Sequence, residues 1–167
     1  MMKDSGAVSD SYRAKYVIPV KEEYSRKNWE SASVQKKKDL LNQHMLEVSD
    51  LLNVYVRPEI NFYYKEPENG LISLGYYTYA TRTISINEYI LTSGCHDSYQ
   101  LYQTVRHELR HAYQHAVENG FIPADGESLE TIIMWQVNID NYISPSSGFN
   151  EYNTQPIERD ARLFALQ

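Results

Sequence analysis

The segment His107-Glu108-Leu109-Arg110-His111 constrains this chain more than any other. On an α-helix, residues i and i+4 lie on nearly one face, about 6 Å apart along the axis. Two imidazoles at that spacing can converge on one metal ion. Glu108 is rotated by about 100° from His107. That is too far round for a comfortable third ligand, but it suits a carboxylate that takes a proton from a water at the ion. A helix is expected because residues 98–118 contain neither Gly nor Pro and run into Asn119-Gly120, a C-terminal stop. Leu101, Val105, Leu109 and Ala112 recur there at helical spacing, which predicts a buried face.

The pattern is the HExxH arrangement of zinc hydrolases, in which the glutamate is the general base. The expectation is Zn2+ held by His107 and His111, with Glu108 catalytic. The structural alternative is a helix carrying two paired, hydrogen-bonded histidines.

The rest of the composition narrows the class. A chain of 167 residues can bury a real core in one domain. A net charge of -6 argues against a nucleic-acid partner. Lys36-Lys37-Lys38 is the main basic run and reads as a solvated helix face. The single cysteine, Cys95, excludes an internal disulfide, and Cys95-His96 reads as a loop pair outside the metal set. Residues 1–10 have no apolar h-region and read as disordered, leaving residues 11–167 as one domain. With no apolar stretch near membrane-spanning length, a cytoplasmic protein with no membrane partner is expected.

Along the chain, residues 12–28 are ambiguous, broken by Pro19. From Ser33, Leu40, Leu41, Met45, Val48, Leu51 and Leu52 form an apolar stripe of helical period. His44 falls beside it and reads as a core-edge histidine. Residues 53–64, 71–80 and 83–87 are rich in β-branched and aromatic residues and predict strands of a small antiparallel sheet. Many of the 15 tyrosines fall there and suit sheet packing. Residues 128–142, with Leu129, Ile132, Ile133, Trp135 and Val137, predict a further helix, and a short helix starts near Gln155.

Catalytic zinc sites usually have three protein ligands and an open position. His115 extends the pattern to HExxHxxxH, but on a continuous helix it lies about 12 Å along the axis from His107. It is expected to stay out of the ligand set. Glu158 is the better third ligand: Pro156 suits a first helical turn, and the small Ala161 lets this helix pack closely on the first. Asp160 is a candidate partner for a ligand imidazole, or a solvated first-turn acid.

Glu158-Arg-Asp-Ala161-Arg-Leu-Phe164-Ala165 following a HExxH helix resembles the gluzincin-type metallopeptidases, and residues 75–87 resemble the strand pair of their compact ImmA/IrrE-like branch. Arg110 stands where that branch usually has glycine; here it reads as a structural cation. The resemblance, over residues 70–167, implies an α+β, zincin-like minimal domain with a small antiparallel-rich sheet on the HExxH helix and a C-terminal helix. It also implies Glu158 as third zinc ligand and a protein or peptide substrate. Tyr152 and Tyr142, just before Glu158, are candidate oxyanion donors. One strand of the 71–87 pair should lie at the sheet edge beside the cleft, open to an extended peptide. Two alternatives stay open. One is a zinc hydrolase of a non-peptide substrate; the other is a non-catalytic zinc-binding module of a phage, mobile-element or toxin-associated system.

Overall fold

A computed structural model describes residue 18 and residues 21–94, 96–124 and 126–167. The disorder expected for residues 1–10, the reading of Cys95, and most of the ambiguous stretch before residue 21 lie outside the described residues. The architecture is α+β, with helices gathered around a three-stranded sheet.

Two N-terminal helices begin on serine caps. Ser25 accepts from the Asn28 amide to start α1 (Arg26–Ser31), and Ser33 accepts from Lys36 to start α2 (Val34–Leu51). The apolar stripe of α2 buries Leu40, Leu41, Met45 and Val48, so period and packing agree. The lysine run does not act as a unit: Lys38 pairs with Glu88 at 2.8 Å, and Lys37 lies 5.5 Å from the Trp29 ring centre.

The sheet contains β1 (Glu59–Tyr63), β2 (Gly75–Thr78) and β3 (Thr83–Asn87), in the order β1-β3-β2. β2 runs antiparallel to β3, but β1 runs parallel to it. The expected antiparallel sheet is therefore corrected to a mixed one. The cause is the link of residues 64–74, long enough to carry the chain across β3 before the tight β2–β3 turn reverses it. Buried Asn87 fastens this crossing. Its amide donates to the carbonyls of Lys65 (2.8 Å) and Ser73 (3.0 Å), and its oxygen accepts from the Lys65 and Tyr89 amides. The strands are also shorter than their apolar runs. Val54 enters the core while Tyr55 and Val56 stay exposed, and pairing starts only after Pro58.

After α3 (Tyr89–Thr92) comes α4 (Leu101–Glu118), the helix that carries the motif. It buries Leu101, Val105, Leu109 and Ala112 against α2 and the sheet. β2 approaches it closely at Gly75, where a Cβ would stand 2.7 Å from the Ser85 oxygen and 3.0 Å from the Thr104 methyl. Next are α5 (Leu129–Asp140), α6 (Phe149–Thr154) and α7 (Pro156–Ala165), with proline in the first turn of α7. The helix expected there is present as α5, with Trp135 buried and Leu129, Ile133 and Val137 exposed. No described helix is long and apolar enough to cross a membrane.

Candidate metal centre

The core face of α4 fixes the helix rotation, which turns His107 and His111 toward α7. That helix packs on α4 through Ala161 and Phe164, both fully buried. With only a methyl group at Ala161, one turn from Glu158, the two backbones come close and the Glu158 carboxylate reaches both imidazoles. His107 Nε2 and His111 Nε2 are 3.1 Å apart. Glu158 Oε2 lies 3.2 Å from His107 Nε2, and Oε1 lies 3.4 Å from His111 Nε2.

With the Glu158 carboxylate taken as one vertex, its two oxygens each facing one imidazole, the groups form a triangle with sides of 3.1–3.4 Å. Ligand atoms about 2.0–2.1 Å from a tetrahedral ion stand about 3.3–3.4 Å from each other. The two imidazoles and the carboxylate are thus near enough to hold one such ion between them. Glu158 is 1% exposed, and its Oε2 accepts no hydrogen bond despite being buried. That oxygen faces His107 Nε2 at 3.2 Å and Arg162 Nη1 at 3.9 Å, a setting that a bound cation would complete.

Electrostatics agree in direction. Burial opposes the Glu158 charge, yet the facing His107 and His111 imidazoles hold its carboxyl well below the usual carboxylate range. Burial would lower His111, but the Glu158 hydrogen bond and the charges of Glu108 and Glu158 carry it up to about 9. Glu108 presents an oxygen within 4.8 Å of both histidine ligand atoms, so His107, Glu108 and His111 also form a group able to hold a metal. Burial pushes the Glu108 carboxyl up, against the pull of His107 and His111, and the Tyr77 backbone amide donates to it. Glu108 therefore sits between the triangle and strand β2. It lines the cleft together with Glu158.

The tautomer of His111 follows from its neighbours. Gln114 Nε2 donates to the Ile157 carbonyl at 3.1 Å and to Asp160 Oδ2 at 2.7 Å. A carbonyl only accepts, so the amide orientation is set and Gln114 Oε1 faces His111 Nδ1 at 2.8 Å. Nδ1 therefore carries a proton, and Nε2, which faces Glu158, is the nitrogen left to bind a metal once its own proton is released. Asp160 is in turn held by Arg110, whose Nε donates at 2.7 Å, and Arg110 Nη2 donates to Glu127 at 2.9 Å.

The placement of Asp160 is thereby refined. It does not touch an imidazole; Gln114 stands between them. Arg110 is fully buried among Tyr113, Trp135 and Phe164, a structural cation away from any substrate. His115 stays out of the triangle and stacks on Tyr79, ring centres 4.6 Å apart. His44 lies in the core, where Arg106 Nε donates to its Nε2 at 3.0 Å. Tyr142 donates to Glu158 Oε1 at 2.7 Å, and Tyr152 packs beside it, ring centres 6.3 Å apart.

A cavity of about 470 Å³ opens over the cluster, walled by Gly75, Tyr77, Tyr142 and Tyr152. A second, of about 360 Å³, shares Gly75, His107 and Glu108 with it and continues past Arg162. β2 is the sheet edge beside this cleft. Gln114 and Gly75 were not singled out in the sequence. Gln114 alone carried a local signal, lying three residues after His111 and so on its side of the helix. Compared with protein-family models, curated proteins and solved structures, the chain matches none of them.

Proposed function

We propose that this chain is a zinc-dependent metallopeptidase of zincin-like fold. His107, His111 and Glu158 hold the zinc, and Glu108 is the general base. The single observation that carries the reading is the convergence of both imidazoles and the Glu158 carboxylate at 3.1–3.4 Å, with a second buried carboxylate, Glu108, beside the histidines. A purely structural site has no use for that extra base. Zinc in such a site supplies Lewis-acid polarisation of a carbonyl and acidifies water.

The chain's own residues do the rest. Glu108 removes the proton from the attacking water and returns it to the leaving amine. Tyr142 keeps Glu158 aimed at the imidazoles through its 2.7 Å hydrogen bond. Tyr152, on the same wall of the cleft, donates to the oxyanion that develops on the scissile carbonyl. The outer edge of β2 offers backbone groups to an extended peptide, which would hold the scissile bond against the cluster.

A hydrolase of a smaller, non-peptide substrate is the second reading. It is favoured by the cavity of about 470 Å³, a size that would enclose a small molecule. One experiment tests both. Protein purified without added metal should contain about one zinc per chain, and it should cleave unstructured polypeptides. Absence of zinc, with no uptake on titration at neutral pH, refutes the metal site. Zinc without peptide cleavage leaves the second reading.

A further inference from the structure

His115 is unused by the chemistry above, yet it is half-buried in an ordered place. It stacks on Tyr79 with 24° between ring planes, and with Tyr77 it lines both the catalytic cleft and a smaller cavity. Burial, with the neighbouring His111 charge, lowers the His115 pKa to about 4, so at neutral pH its ring is an uncharged aromatic wall. The smaller cavity has a volume of about 60 Å³, and its floor is Val54, Ala112, Ala116 and Ile122. One water needs about 10–15 Å³ by this measure, so the space accepts roughly four heavy atoms, the size of a leucine side chain. Its rim is exposed and apolar: Tyr55 is 77% exposed, Val56 57% and Phe121 60%. The charged side chain at the rim, Arg82, lies over the Phe121 ring at 5.8 Å.

An apolar niche with an apolar exposed rim calls for an apolar occupant. The strand beside it says which one. Gly75 borders His107 and Glu108, and Tyr77 lies two residues further along β2, about 7 Å away. Tyr79 lies two residues beyond that. Gly75, Tyr77 and Tyr79 therefore mark out a path from the reacting centre to the niche.

We infer that this niche is a specificity pocket, taking a leucine-sized aliphatic side chain of the substrate two to four residues from the scissile bond, toward the Tyr79 end of β2. The inference rests on the peptidase reading. It adds a substrate class: extended chains with a bulky aliphatic residue at that distance, selected by Ala116, His115 and Tyr79.

The test uses labelled decapeptides of Ser, Gln and Ala with one leucine placed at each position in turn. Their binding to zinc-loaded Glu108→Gln protein is read by fluorescence anisotropy, and their cleavage by the unaltered protein by mass spectrometry. Leucine at one position should bind and be cleaved about tenfold or more better than alanine there. Ala116→Leu fills the floor and should abolish that preference. Phe121→Ala opens the exposed rim and should shift it toward phenylalanine. Cleavage without positional preference, or a preference unchanged in both variants, overturns the pocket and leaves the peptidase intact. Positional binding without any cleavage overturns the peptidase and, with it, the pocket as a determinant of cleavage. No binding by any peptide overturns both. If Phe121→Ala instead dissolves a dimer seen by sedimentation and leaves the peptide preference alone, the patch is a self-interface and the pocket is refuted.

Discussion

Replacing Gln114 with methionine keeps the length and much of the volume of a fully buried side chain while deleting all its hydrogen bonds. Three partners are affected unequally. The Ile157 carbonyl retains its place in α7, and Asp160 retains Arg110 at 2.7 and 3.2 Å. His111 Nδ1 loses its 2.8 Å acceptor and stays buried. One unsatisfied buried donor costs about 1–3 kcal/mol. The imidazole can escape that cost by moving its proton to Nε2, which removes the lone pair from the triangle. Either way the loss falls on metal binding, at about 10–100-fold for an outer partner of a ligand histidine. That range converts to about 1.4–2.8 kcal/mol, matching the first figure.

Zinc affinity, measured by competition with a calibrated chelator, should weaken by that factor. Imidazole 15N shifts should report loss of the single Nδ1–H tautomer of His111. Unchanged affinity together with an unchanged tautomer would refute the proton assignment.

The division of labour in the cluster gives a second expectation. Glu108→Gln should retain zinc and lose hydrolysis, Glu158→Ala should weaken zinc, and His115→Ala should leave zinc bound; metal analysis of the three proteins decides it. If His115→Ala strips the metal and Glu158→Ala does not, the ligand set is wrong. Arg110→Met leaves Asp160 and Glu127 without their shared buried cation and should lower stability by about 3–5 kcal/mol. Denaturant unfolding measures this, and a neutral result would show that the aromatic packing suffices without the charge. His44 makes stability fall in acid. Burial, reinforced by Arg106, lowers its pKa to about 3, below the ordinary 6.5. The unfolded chain thus takes up a proton below pH 6.5 that the folded protein refuses until about pH 3. Stability from this residue is complete above 6.5 and declines by up to about 1.4 kcal/mol per pH unit below it. His44→Phe should flatten that slope in unfolding titrations between pH 6 and 4, and an unchanged slope would exclude His44 as its source.

The parts legible in the sequence are those governed by local geometry. The pairing of His107 with His111, the outward rotation of Glu108 and the exclusion of His115 from the triangle all follow from 3.6 residues per turn. That period holds wherever the helix packs. The stripe of α2 and the proline-started α7 were readable for the same reason. What tertiary structure decided depends on chain segments far apart. Parallel pairing of β1 with β3 is set by a crossing that Asn87 fastens, and no period of two encodes which neighbour a strand takes. The exposed apolar side of α5 depends on what the rest of the chain places against it. Gln114 rather than Asp160 meets His111 because close packing at Ala161 brings the two helices near enough for one amide to span the gap. Helical spacing depends only on the backbone; partners across a core depend on the packing of the whole chain.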